Sequence, residues 1–301
     1  MATPANINTL TQYAKGVFQD TANPDADFLA PVVATGAARF LVNDYAQETG
    51  FAIPSSVRAI GGDSAAVRSD GEQVEISLKP HGLHDTIDNH ELDLATDGAG
   101  TQLLYEGRTQ NLISQGGNSR FKETLDVVRG VVAATPTVWN AAADPIAMID
   151  ARIEAITKAS GKMPNRIMFS LGAWIIFRNN TKVIERHPGA GQVTVTAESA
   201  SGLFANPNMK IMVSATVFDT AKGSTPAKGF ALANEVFIYF AAEGASMFDA
   251  SFTKTFRVRA NAFQSVRTSQ KDHGVKLMVD WTEVCYVNNP AAGARLTVTT
   301  S

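Results

Sequence analysis

The residues of this sequence that could do chemistry are few. His81, His84 and His90 stand close together, with Asp85, Asp88 and Glu91 among them. Convergent imidazoles and carboxylates can hold a divalent metal, and an i,i+3 pair on a helix would bring two to one side. The zincin order His-Glu-x-x-His is absent, however, and Leu83, Ile87 and Leu92 give the stretch the pattern of a polar helix edge over a core. A structural use of these histidines is the stronger reading, and a His-based metal-binding enzyme the weaker. Nucleophilic catalysis has no Gly-x-Ser-x-Gly elbow to stand on. The pairs Gly98-x-Gly100 and Gly189-x-Gly191 lack the third glycine of a dinucleotide fingerprint, and no Walker sequence occurs. The single cysteine, Cys285, cannot form an internal disulfide and falls among apolar alternate residues, so it reads as a buried, inert thiol. The sequence predicts no enzyme, no cofactor and no metal.

One basic-rich stretch remains: Lys254, Arg257, Arg259, Arg267, Lys271 and Lys276. Arg257 and Arg259 share a strand parity. With Arg267 they are candidates for an intersubunit or phosphate contact, the alternative being a solvated strand face. The net charge of −3 also hides a split, with −9 over residues 1–110 and +6 over 111–301. A polarised subunit suits head-to-tail contact between copies, although two ordinary solvated surfaces would give the same numbers. A general nucleic-acid binder would show a strongly basic domain.

The elements that must carry these residues follow from length and pattern. A chain of 301 residues has room for about two domains. Apolar residues make up 45% and charged ones 18%, against a usual charged share of about 25%, which excludes a disordered chain. No apolar run approaches the ~18–20 residues of a membrane span, and the first residues carry no secretory signal pattern. A cytosolic setting is expected.

Ile7, Leu10, Tyr13, Ala14 and Val17 predict a short amphipathic helix in an N-terminal arm, broken at Asn23-Pro24-Asp25 and followed by a strand at 39–43. Residues 44–72 are rich in Gly, Ser and Asp and poor in large apolar side chains, then Val74, Ile76 and Leu78 alternate with polar residues. A loop this long with no core of its own is usually functional or ordered by a partner, so 38–80 is expected to be a projecting β-hairpin. A helical region is expected over 84–133, interrupted at Gly116-Gly117, with Phe121, Leu125, Val128 and Val132 on one stripe. Pro136 and 140–143 read as a connector. Asp144-Pro145 opens a helix with Ile146, Ile149, Ile153 and Ile156 buried and Gly161 as its stop. Strands at 166–169, 210–215 and 230–241, with a helix capped by Ser170, make 140–245 a compact α+β unit. Phe252, Phe256 and Val258 mark another strand. In 275–287 the odd positions are apolar except Glu283, a strand of unusual length.

This order of parts resembles the major capsid proteins of tailed bacteriophages, whose shell fold is shared with herpesvirus floor domains and encapsulins. The likeness is carried by the arm to Asp27 with Phe28-Leu29-Ala30-Pro31-Val32, the extended loop within 44–72, and the segment His84-Asp85-Thr86-Ile87-Asp88-Asn89-His90-Glu91-Leu92. It continues through the helix 120–132, Met163-Pro164-Asn165-Arg166-Ile167-Met168-Phe169-Ser170 with Ala173-Trp174, Phe256-Arg257-Val258-Arg259, and the strand to Val287. The resemblance implies an α+β capsid fold: N-terminal arm 1–37, extended β-hairpin loop 38–80, peripheral domain with a long spine helix and long strands at 81–139 and 246–301, and an inserted axial domain at 140–245. It implies a structural virion subunit that assembles in the host bacterial cytoplasm, through pentamers and hexamers, into an icosahedral shell around double-stranded DNA. Scaffold, portal and decoration proteins are the partners it implies; an encapsulin shell is the alternative within the fold.

On the same resemblance the extended loop lies across a neighbouring subunit, which makes Arg58, Asp63, Arg68 and Asp70 the expected contact residues. Some members of the family crosslink a loop lysine to a neighbour's asparagine; residues 44–72 contain no lysine, so a shell held without covalent bonds is expected. Met1 stands almost directly at the arm, which favours a separate scaffold protein over a cleaved leader segment.

Overall fold

The run Glu-Val-Phe-Ile-Tyr at 235–239 has apolar side chains on both parities, which a strand satisfies only when both faces of its sheet are covered. In the computed structural model, which describes residues 10–14, 24–43, 73–95, 98–187, 194–219, 227–258, 265–271 and 273–300, this run is strand β10 (Glu235–Tyr239), buried at every residue. It is the middle strand of a five-stranded sheet. β14 (Gly293–Thr299) and then β5 (Ala134–Val138) lie on one side of it, β6 (Arg166–Ser170) and then β7 (Lys210–Ser214) on the other. Val236 and Ile238 turn toward the helices Pro145–Ser160 and Leu171–Arg178, packing with Ile146, Ile149, Ile153, Phe169 and Phe177. Phe237 and Tyr239 turn the other way, into a core with Phe121, Leu125 and Val128 of a long helix.

That helix, Gly98–Val131, runs for 34 residues, about 51 Å at 1.5 Å per residue. It passes straight through Gly116-Gly117, where the sequence predicts an interruption. Two glycines cost a helix about 1 kcal/mol each, but both are buried here, and the apolar stripe continues on either side of them. Before them Tyr105, Leu112 and Ile113 pack with Ile87, Leu277, Val279 and Trp281; after them the stripe enters the core of β10. Tertiary burial outweighs local propensity.

The second five-stranded sheet is built around β13 (Gly274–Val287), 14 residues whose odd positions from Leu277 to Val287 are buried, as the alternation predicts. β4 (Lys79–Asp88) pairs with one of its sides over 274–283. β12 (Ser265–Lys271) and then β11 (Thr253–Arg257) share the other side, and β1 (Val32–Ala34) lies parallel to β11. Residues 84–88, expected as helix, are thus the end of a strand. His81 and Asp85 share its partly buried side with Leu83 and Ile87, which hides the period-two pattern behind polar residues. Pro136, expected in a connector, lies in the middle of β5, and the stretch 230–241 divides at a turn where Asn234 takes φ 50°.

Two two-stranded ribbons lie beside these sheets among the described residues. β2 (Arg39–Asn43) pairs antiparallel with β3 (Gln73–Ser77), the stem of the expected hairpin. β8 (Val217–Asp219) pairs with β9 (Lys228–Phe230). No helix among the described residues is long and apolar enough to cross a membrane.

Candidate assembly surface and the ionic junctions behind it

The hairpin stem is fixed to the second sheet by its inward side chains. Val42, Ile76 and Leu78 are buried with Val33 and Phe256, and the Phe40 ring meets that of Phe256 edge-on at 5.0 Å. Leu41 faces away and is exposed. The expected contact residues Arg58, Asp63, Arg68 and Asp70 lie outside the described residues, as does Arg259. Arg267 sits on β12 with its side chain 66% exposed, 3.8 Å from Asp280.

Arg257 is inside the subunit, which corrects its assignment as a surface contact. β11 is flanked by β1 and β13, and all five of its residues are buried. Lys254 is buried on the same strand, its ammonium directed at the carbonyls of Met247 (3.3 Å) and Asp249 (2.5 Å). The basic stretch is therefore not a continuous surface stripe.

Arg257 is held by Glu283, the acidic residue that breaks the apolar parity of β13 and its direct cross-strand partner. Its Nε and Nη2 donate to Glu283 Oε2 at 3.0 and 2.8 Å. Arg120 of the long helix donates through Nε to Glu283 Oε1 at 2.7 Å, and Trp281 Nε1 donates to the same oxygen at 3.1 Å. Arg120 Nη2 reaches Asp27 Oδ1, also at 2.7 Å. His81 stacks on Trp281, with ring centres 5.5 Å apart. Two buried guanidiniums are thus balanced by the buried carboxylate of Glu283 and the half-exposed one of Asp27. Burial alone would lower the Arg120 guanidinium, but the charges of Glu283 and Asp27 outweigh it and hold it above its ordinary value. Burial, with the charge of Arg120 beside it, holds Arg257 below its ordinary value.

A second junction centres on Glu235, buried at the start of β10. Arg129 of the long helix and Arg295 of β14 both pair with its carboxylate, and Arg129 also donates to the Ala231 carbonyl at 2.9 Å. The short helix Pro24–Leu29 reaches both sides of the molecule. Asp25 accepts from Ser214 and Thr216 beside β7, Asp27 takes Arg120, and the Phe28 carbonyl accepts from Arg166 Nη1 (2.8 Å) and the Tyr239 hydroxyl (2.7 Å). Sequence reasoning missed these residues as a set. The one available signal was Glu283, an acid on an otherwise apolar parity.

The chemistry-bearing residues do not gather into a catalytic arrangement. His81 and His84, three apart on a strand, point to opposite faces, and His90 lies in the next helix, its backbone N–H capped by Asp88 at 2.8 Å. Among the described residues no group of three or more His, Cys, Asp or Glu side chains is placed to hold a metal ion. Cys285 is buried, and burial pushes its thiol up to about 12.

No family model and no curated protein matches the sequence. Solved structures do match. A phage-related protein from Bordetella bronchiseptica RB50 superposes with a TM-score of 0.68 at 16% identity, over 96% of this chain and 96% of that one. The capsid structure of the cyanophage P-SCSP1u gives 0.53 at 12% identity, over 91% and 88%. An encapsulin complex from Synechococcus elongatus PCC 7942 gives 0.55 at 13%, over 100% and 92%. The match runs nearly the whole length of both partners each time, so it concerns the complete architecture rather than one shared unit. This chain has the α+β shell fold of phage capsid proteins and encapsulins.

Proposed function

We propose that this chain is a major capsid subunit of a tailed bacteriophage, a structural protein whose copies close into an icosahedral shell around double-stranded DNA. The observation that carries the reading is the end-to-end match, over 96% of both chains, to a phage-related protein, with a phage capsid structure matching over most of its length. Residues 38–80 are the extended loop, with Arg58, Asp63, Arg68 and Asp70 as contacts to a neighbouring subunit. Residues 1–37 are the arm, 140–245 the axial domain, and 81–139 with 246–301 the peripheral domain. Such contacts are heterologous and build rings that close. Each can be weak, because every subunit makes several at once. Pentamers and hexamers assembled in the bacterial cytoplasm, with scaffold, portal and decoration proteins as partners, belong to the same proposal. Catalysis does not.

The test is expression of the chain with and without a scaffold protein, followed by sedimentation and negative-stain electron microscopy. Closed, uniform particles are expected. A monodisperse monomer or dimer under every assembly condition would overturn the reading. The encapsulin complex that matches along 100% of this chain favours a second reading, a nanocompartment. Particle contents separate the two, since packaged double-stranded DNA supports the virion and a retained protein cargo supports the compartment.

A further inference from the structure

We propose that the outward face of the β8–β9 ribbon is a two-fold contact between copies of this chain, an inference that rests on the shell reading. The ribbon pairs Val217 with Phe230, Phe218 with Gly229 and Asp219 with Lys228. Phe218 turns inward, its ring 6.1 Å from that of Phe121 on the long helix, so the ribbon is anchored to the body. The other face carries two rows. Val217 and Phe230, 42% and 54% exposed, form an apolar row, and the exposed Asp219 and Lys228 form a row of opposite charges. Asp219 Oδ1 accepts from the Ala227 backbone N–H at 3.0 Å, which orients the carboxylate.

A single exposed apolar side chain needs no partner, but two paired across a ribbon anchored from behind make a patch. The charge pattern says what covers it. When two such faces meet about a two-fold axis parallel to the strands, Val217 lies on Phe230 of the partner subunit and Asp219 on Lys228 of the partner subunit. Each contact then occurs twice. A two-fold axis running across the strands would set Val217 against Asp219 of the partner subunit, apolar on charged, so the pattern selects one arrangement. Four residues a side are too few for a stable dimer in isolation, and the contact becomes effective where many subunits repeat it.

Charge reversal tests this. Asp219→Lys alone, or Lys228→Asp alone, puts like charges face to face and is expected to cut particle yield about tenfold. A one-to-one mixture of the two variants restores the pairing between copies and should recover assembly, as should the double variant Asp219→Lys/Lys228→Asp. A role confined to the cross-strand pair within one chain would be rescued by the double variant but not by the mixture, and that result overturns the proposal. So does normal assembly of either single variant. Wild-type protein, run in parallel by sedimentation velocity, separates the two readings: particles from the wild type with indifferent variants remove the ribbon contact alone. A wild type that stays monomeric at every concentration and condition removes both.

Discussion

Glu283→Gln keeps the shape of the side chain at the centre of the first junction and removes its charge. In the native seam the charges of Arg120 and Arg257 are balanced by those of Glu283 and Asp27. After the change two guanidiniums, with side chains 3% and 1% exposed, share the single carboxylate of Asp27. An excess positive charge then sits where water does not reach. Removing one partner of a buried pair costs roughly 3–5 kcal/mol, a large part of the 5–15 kcal/mol by which domains are usually stable. At about 2–4 °C per kcal/mol for a chain of this order, the melting temperature should fall by about 6–20 °C. The assay is thermal and urea unfolding of unassembled subunits followed by circular dichroism. Asp27→Asn is the comparison variant: its own side chain is 41% exposed, so water can replace part of what the carboxylate gives Arg120, and its loss should cost less than that of Glu283. A Glu283→Gln protein within about 1 kcal/mol of the wild type, or no more affected than Asp27→Asn, would refute the account of Glu283 as the buried counter-charge of both guanidiniums.

Three other outcomes are expected. Gly293→Ala would set its Cβ 2.5 Å from two ring carbons of the buried Phe252, and this overpacking should lower the urea midpoint by an amount equal to about 1–3 kcal/mol with an unchanged slope. Cys285 should resist a thiol reagent in the native protein and react fully on unfolding. Its folded value is raised to about 12, so its contribution is complete below the ordinary thiol value of about 8.5 and declines as pH rises from there; Cys285→Ala should flatten that alkaline loss in a titration of stability. Glu235→Gln should lower the melting temperature less than Glu283→Gln, because its partners Arg129 and Arg295 are 29% and 17% exposed and water can take over part of their solvation.

Much of the fold is legible in the sequence where the signal is local. Asp144 caps the helix Pro145–Ser160 through the Ala147 backbone, Gly161 ends it at φ 63°, and Ser170 caps the next helix through Ala173, each as the residue types indicate. The parity of β13 and the pairing of the hairpin stem are legible for the same reason. What escapes is decided between distant segments. β5 and β14 are about half the chain apart in sequence, and β5 carries no strong period of its own, yet they pair in parallel. Gly116-Gly117 reads as a break because propensity is local, whereas the two cores that hold the helix together are not. The ionic junctions were illegible as groups, since nothing in the sequence joins residues 27, 120, 257 and 283 except the fold itself.

The two junctions share the long helix, and their spacing on it has a consequence. Arg120 and Arg129 are nine residues apart, about two and a half turns, so they project from opposite sides of the helix. One is pinned to Glu283 in the sheet of β13 and the other to Glu235 in the sheet of β10. Asp27 and Asp25 of the short helix repeat the division, one on Arg120 and the other on Ser214 and Thr216. Apolar contact between helix and sheet tolerates sliding; a guanidinium forked onto a carboxylate does not. Buried ion pairs add little net stability over apolar groups of equal size, so their effect here lies in fixing how the two sheets sit on the helix. Replacing the first junction together, as Arg120→Met, Arg257→Met and Glu283→Leu, should therefore recover most of the melting temperature that Glu283→Gln loses. If the junction sets subunit geometry, particles from the triple variant should still vary more in diameter by electron microscopy than wild-type particles. Particles of uniform, unchanged diameter from that variant would mean that apolar packing alone sets the angle between the sheets.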